Sequence, residues 1–454
     1  MSDSTINPYK SPEATEPQTP PDEAQSTYSL ARERLILLVL AAVQFTSIVD
    51  FMVIMPLGPM LERELGLTPA MFGLIVSSYT CAAGIAGLFA SVIVDRFARR
   101  TAFLALFAGF LAGTCACGLA PSYFWLLAAR LLTGAFGGIL GGMAMTIVGD
   151  VFHESRRGTA TGTLMSAFAL ASVVGVPAGL TLGQNYGWHV TFLTLAVLGI
   201  PIFFLAAIVL PPLAGHVGSG RDQEHSLTKL HTVFTESNHL KAFALTFSLM
   251  FGSFCIIPFF APYLVSNVKI PENRLAVIYI AGGVLTLVGS PIVGKLADRF
   301  GKLLVYRIAT PLLALALIAA TNLPPVSLPI AAIVMSSLMF CNASRMVPAM
   351  AMITSSVAPA RRGGFLGANS AVQHISAGLG AFVGGLILTE APDHSLQNYP
   401  LVGILGVAVT LVSLWLAGRI RIVDGGHATD ISASLAAAAQ GTLNADEPIT
   451  VAEM

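Results

Sequence analysis

Four ionisable residues lie inside long apolar runs, and their types suit proton or anion chemistry. Asp50 sits in FTSIVDFMVIMPLGP (45–59), Arg130 in LLAARLLTGAFGG (126–138), Arg345 in FCNASRMVPAM (340–350) and His374 in NSAVQHISAG (369–378). A charge carried into hydrocarbon costs about 2.5–3.5 kcal/mol on insertion scales, so such groups face a cavity or a partner. Asp50 suits a carboxylate that gains and loses a proton as a cavity opens to one side and then the other. The plainer alternative is an acid that ties its helix to a neighbour. Arg130 can hold Asp50 ionised or bind an anionic substrate. Arg345 stands beside Asn342 and three residues before Pro348, which removes a backbone donor and kinks a helix. It suits a carboxylate or phosphate in a cavity, an anchor to backbone carbonyls, or a gate if it meets Asp50. Asn369 and Gln373 lie one turn apart on a helix with His374, which either carries a proton near neutrality or is a satisfied polar residue at a helix interface. These residues and Tyr79 are the candidate cavity lining.

The elements that position them are membrane spans. The chain of 454 residues is 55% hydrophobic and 11% charged, with mean hydropathy +0.76, whereas soluble domains carry about 25% charged residues. Apolar runs long enough to cross about 30 Å of hydrocarbon fall near 35–61, 70–94, 102–120, 122–148, 159–183 and 188–211, then 240–265, 274–294, 303–321, 327–353, 366–388 and 399–419. The expected organisation is a disordered cytoplasmic tail (1–32), a six-helix bundle (33–213), a polar cytoplasmic linker (214–239), a second bundle (240–421) and a polar cytoplasmic tail (422–454). No cleavable signal peptide is visible at the polar, proline-rich N-terminus. Basic clusters such as Arg32/Arg34, Arg156/Arg157, Arg361/Arg362 and Arg419/Arg421 fall on one side, against Arg63, Lys269 and Arg274 on the other. The positive-inside rule then places both termini in the cytoplasm.

Two signals recur at nearly one spacing. DRFARR (95–100) returns as DRFGKL (298–303), 203 residues on, and RRGTATG (156–162) as RRGGFLG (361–367), 205 residues on. Such duplication is common in secondary transporters, whose two halves rock about a central site. No phosphate-binding loop that would signal ATP use is present. The five cysteines lie in apolar segments without metal or redox spacing. The methionines around 346–352, with Met52 and Met55, read as gap-fillers, not as a copper path. No cofactor or metal site is expected, no enzyme activity, and no nucleic-acid partner.

These motifs together resemble the major facilitator superfamily over about residues 33–421, and most of all its bacterial drug and metabolite efflux branch, which includes arabinose-efflux-like permeases. GKLADRFGK matches the family's G-x-x-x-D-R-x-G-R-K loop through Gly294, Asp298, Arg299, Gly301 and Lys302. SVIVDRFARR is a worn copy that keeps Asp95, Arg96, Arg99 and Arg100 but has Ser91 and Ala98 where the family has glycines. Arg130 and Gly134 match the helix-4 motif linked to proton coupling. GVPAG resembles the antiporter motif of helix 5 through Gly175, Pro177 and Gly179, with Val176 interrupting the glycine–proline pair. NYGWHVTFL (185–193) is similar to the family's sequence before helix 6.

The resemblance implies an all-α polytopic membrane protein with twelve transmembrane helices in two pseudo-symmetric six-helix bundles, the major facilitator fold. It implies a monomer in the bacterial inner membrane that exports a small organic molecule against protons, with Asp50 and Arg130 coupling. The two loops and the helix-5 glycines would gate it. The alternatives are uptake or facilitated diffusion of a small organic anion, and a transporter-like sensor or scaffold.

Overall fold

A computed structural model of the chain describes residues 29–94, 97–212, 234–358 and 361–423. Among the described residues, twelve helical spans are long and apolar enough to cross a membrane. The first half contains α1 (Leu30–Val53), α2 (Gly58–Leu65), α3 (Pro69–Val94), α4 (Arg99–Gly118), α5 (Tyr123–Val151), α6 (Glu154–Leu170), α7 (Val176–Tyr186) and α8 (Trp188–Val209). The second contains α9 (Ser237–Phe254), α10 (Phe260–Ser266), α11 (Leu275–Phe300), α12 (Lys302–Thr321), α13 (Leu328–Ser355), α14 (Arg362–Ile387) and α15 (Tyr399–Ala417). Large apolar side chains such as Phe124 (77% exposed) and Ile208 (78% exposed) point outward, which suits lipid and not water.

Several of the expected apolar runs are not single helices. The apolar run expected over 35–61 is α1, a turn and α2. Pro56 has no N–H to donate to Met52 O, and Met55 N takes that carbonyl at 3.3 Å instead. The run expected over 240–265 breaks in the same place, where a short 3-10 turn (Ile257–Phe259) containing Pro258 separates α9 from α10. The fifth span is α6, a π-turn at Ala171–Gly175 and then α7, which opens with Pro177 near its start. A proline removes the donor that an α-helix needs there, and the extra residue of the π-turn absorbs the mismatch. The chain also enters its first helix earlier than a tail ending at residue 32 would allow. Ser29 caps α1 by accepting from Arg32 N at 3.4 Å, and Glu33 is already buried. A two-stranded hairpin, β1 (Thr389–Glu390) with β2 (Leu396–Gln397), precedes α15.

We call the end where α1 begins and α15 finishes the terminal end, and the opposite one the far end. The halves meet along α3 and α14, where small residues allow backbones to touch. A Cβ on Gly73 would lie 2.6 Å from Ala381 O, and one on Gly385 would lie 2.7 Å from Pro69 O. They also meet where the π-turn faces α11, with Val173 3.1 Å from a Cβ placed on Gly283. At the far end Arg63 pairs with Glu272, and Gln184 donates to the Glu272 carbonyl. At the terminal end, the ion pairs between described residues stay within one half: Arg156 with Glu33 at 2.8 Å, Arg99 with Asp150 at 2.5 Å, and Glu236 with Arg361 at 3.3 Å and with the His239 ring at 3.5 Å. The far ends are joined by bonds that the terminal ends lack among the described residues.

Candidate functional site

Asp50 lies in the last turn of α1 and is fully buried. Its Oδ2 accepts from Arg130 Nη1 at 2.8 Å, and its Oδ1 accepts from Thr114 Oγ1 of α4 at 3.1 Å. The same Nη1 reaches the Asp50 carbonyl at 3.4 Å. Of the two arginines that the sequence offered Asp50, the fold delivers Arg130. Arg130 is also fully buried, and its guanidinium lies 4.3 Å from the centroid of the Tyr79 ring. That geometry adds a cation–π attraction.

Gly134 explains how Tyr79 gets there. A Cβ at Gly134 would fall 2.2 Å from Tyr79 O, and one at Gly138 would fall 2.5 Å from Ala83 Cα. Without those methyls α5 and α3 approach until the tyrosine ring covers the guanidinium. The helix-5 glycines do the same on the other side of α1. A Cβ at Gly175 would fall 2.2 Å from Val49 Cγ2, and one at Gly179 2.8 Å from Val53 Cγ2. The carboxylate is therefore held between α4 and α5, while the π-turn region packs against the neighbouring residues of the same α1 turn. Arg130 Nε and Nη2 nevertheless have no hydrogen-bond partner, so the pair is neutralised but not saturated.

Arg345 does not meet Asp50. It is fully buried in the second half, where it donates to Ser253 Oγ at 3.0 Å and to Leu249 O, Asn342 Oδ1 and Thr410 Oγ1 at 3.3 Å each. Asn342 is half-buried and also accepts from Ser253 Oγ at 2.8 Å. Asn369 is buried and accepts from Thr246 Oγ1 at 2.6 Å. Gln373 lies 3.6 Å from Met350 Sδ. The half-buried His374 packs at the α3–α14 contact, its Cβ 3.2 Å from where a Gly84 Cβ would sit. Of the candidate cavity residues, Arg345, Asn369 and Tyr79 are thus turned into helix contacts here, and Asn342, Gln373 and His374 keep partial exposure.

Between the halves, Phe51 stacks on Tyr79 at 5.3 Å and on Phe254 of α9 at 6.0 Å. This aromatic bridge links the roof of Arg130 to the helix that carries Ser253. Phe51 and Thr114 were missed in the sequence because an uncharged side chain in an apolar run carries no signal. Among the gating candidates, Asp95 and Arg96 lie outside the described residues. Arg100 bonds the Ala207 carbonyl. Asp298 and Arg299 are exposed, Gly301 ends α11 at φ +93°, and Lys302 donates to Ser355 Oγ at 3.0 Å.

The sequence model of the Major Facilitator Superfamily matches residues 40–241 and again 242–437. The chain belongs to the major facilitator superfamily. It is a multi-pass membrane protein built for secondary transport of a small molecule. Among its relatives, the inner membrane transport protein YdhP of Escherichia coli is 24% identical over 375 residues, covering 80% of this chain and 91% of that one. The putative transporter AraJ of Escherichia coli is 22% identical over 367 residues, covering 80% and 89%. The uncharacterized MFS-type transporter YtbD of Bacillus subtilis is 28% identical over 243 residues, 53% of this chain and 60% of that one. Solved structures of the same fold include nucleoside transporter NupG, with TM-score 0.70 and 14% identity over 85% of this chain and 99% of that one. D-xylose-proton symporter gives TM-score 0.69 at 16% identity, over 84% and 97%.

Proposed function

We propose that the protein is a proton-coupled antiporter of the bacterial inner membrane that exports a small organic molecule by alternating access. The observation that carries this reading is the buried Asp50–Arg130 pair at the contact of α1, α4 and α5. Protonation of Asp50 removes the charge that holds Arg130 Nη1. The guanidinium, which already has two unpartnered nitrogens, then turns to another acceptor. A proton on Asp50 and a ligand on Arg130 become competing states of one site, which is the requirement for exchange. Ligands shift such an equilibrium only by their differential affinity for its states.

Gly175 and Gly179, on either side of Pro177, support antiport, because their contacts with Val49 and Val53 link the π-turn and α7 to the helix that carries Asp50. The basic residues at the terminal end support a cytoplasmic position for both termini, so the conformation is closed toward the outside. In the opposite state, Asp95, Arg96, Arg99, Arg100, Asp298, Arg299, Gly301 and Lys302 would hold the terminal ends together.

The test is proton release from the purified protein during titration with a panel of metabolites and drugs, wild type beside Asp50→Asn. Asparagine keeps an oxygen for Arg130 but cannot exchange a proton. We expect compound-induced proton release in the wild type and at least a tenfold smaller signal in the variant. Binding without proton release in the wild type would contradict antiport. Asp50→Ala is the poorer probe, since stripping one partner from a buried pair costs about 3–5 kcal/mol.

A further inference from the structure

The buried charges of the spans do not balance. The buried ionisable side chains include Glu33 and His239 in the opening turns of α1 and α9, and, deeper, Asp50, Arg130 and Arg345. The deep set holds one carboxylate against two guanidiniums. Asp50 serves Arg130. Among the described residues Arg345 has only neutral partners: two hydroxyls, one amide oxygen and one backbone carbonyl. Three of those four bonds are 3.3 Å long, beyond the usual N–H···O range, and its Nε has no partner at all. A guanidinium with a carboxylate partner bonds at about 2.7–2.9 Å, as Arg130 does at 2.8 Å. A buried cation is normally paired with an acid, and here that acid is missing.

The duplication locates the vacancy. Counting 203 residues on from Asp50, by the offset of the repeated DRF loop, arrives at Ser253. Ser253 is the residue that Arg345 touches most closely. In the first half this position of the first helix brings the carboxylate, whereas in the second half it brings a hydroxyl. The second half thus keeps a buried cation with a ring of neutral groups around it. Asn342, half-buried, accepts from both Ser253 and Arg345 through one oxygen, and Phe254, next to Ser253, forms the aromatic bridge to the first half. The ring therefore borders the interface along which the halves must part.

We propose that Arg345, with Ser253 and Asn342, forms the recognition site for an anionic group of the transported molecule, a carboxylate or a phosphate. The inference rests on the transport reading above and gives it a substrate class. Arg345 exchanges its long bonds to Ser253 and Asn342 for a bidentate, charge-assisted pair, and the substrate brings the negative charge that the second half lacks. A lipophilic cation would add a third positive charge to the deep set, so the site selects against it.

The test is equilibrium binding to the intact purified protein with a defined panel: benzoate, gluconate and glycerol 3-phosphate, the amides of the two carboxylates, and tetraphenylphosphonium. At least one anion is expected to bind ten times or more tightly than the amides and the cation. Arg345→Gln should abolish that preference, and Arg345→Lys should restore part of it. Size-exclusion profiles screen for misfolding, and the lysine variant keeps the buried charge if the glutamine variant fails to assemble. Overturning results are preferred binding of the cation or amides, no Arg345-dependent anion binding, or an undiminished preference in Arg345→Gln. Asp50→Asn separates this claim from proton coupling. Arg345-dependent anion binding without proton release would sink coupling alone, whereas proton release with no anion preference would sink the anion site alone.

Discussion

Single residues set the local chemistry, and Glu62 shows how burial beside a like charge shifts a carboxyl. Glu62 lies in α2 at the far end, outside the twelve spans, and its Oε1 is buried without a hydrogen-bond partner. Burial, reinforced by the Glu390 carboxylate, pushes its carboxyl up to about 8. The other charges around this corner are Arg63 and Glu64 on the same helix, Glu272 bonded to Arg63, His394 bonded to Glu390, and Asp393 with Lys269 near it. A carboxyl raised in the fold binds more protons folded than unfolded. Its penalty is absent below the ordinary carboxylate range, accrues as pH rises toward 8, and is constant above it. Thermal stability in detergent should therefore fall between pH 5 and 8, and Glu62→Gln should flatten that slope. An unchanged slope in the variant would show that other groups set it. Nothing in GPMLEREL marks Glu62, because an acid in a short amphipathic helix reads as solvated. Asp50 and Arg130 were legible for the opposite reason: a charge in a long apolar run has few bland explanations.

Helices and their contacts hold the halves together. Along α3 and α14 the halves touch through glycines whose missing side chains are filled by backbone, and the most demanding far-end case is Gly73 facing Ala381 O. Backbone does not yield as a flexible side chain does, and overpacking costs about 1–3 kcal/mol. Gly73→Ala should therefore disfavour the far-end contact. The distance between labels at Glu64→Cys and Pro392→Cys should lengthen relative to the parent pair, and an unchanged distribution would show that the contact tolerates the methyl. Hydropathy located the spans because each must satisfy its backbone within a helix of fixed minimum length. It did not reveal the breaks at Pro56 and Pro258, or the π-turn before Pro177, since apolar residues continue through all three. The hairpin at 389–397 escaped notice for a different reason. Two-residue strands have no periodicity, and this one is pinned by Asn267, which bonds Leu396 N and O at 2.9 Å each.

The whole molecule is two similar bundles with unlike interiors. The recurring loop motifs declared the duplication, and the matching breaks at Pro56, after α1, and at Pro258, after α9, carry it into three dimensions. What differs is where the charge sits: a carboxylate–guanidinium pair in one half and an unbalanced guanidinium in the other. On this account the first half responds to protons, and the far-end bonds of Arg63 and Gln184 to Glu272 hold the present conformation. The most direct test is whether the protonation of Asp50 drives the halves. Spin labels at the exposed positions Thr159→Cys and Gly363→Cys report the separation of the terminal ends, and their distance distribution would be followed against pH with Asp50 or Asn at position 50. The prediction is two populations whose ratio shifts with pH in the parent and is fixed in Asp50→Asn. An identical pH response in both proteins would contradict Asp50 as the coupling group.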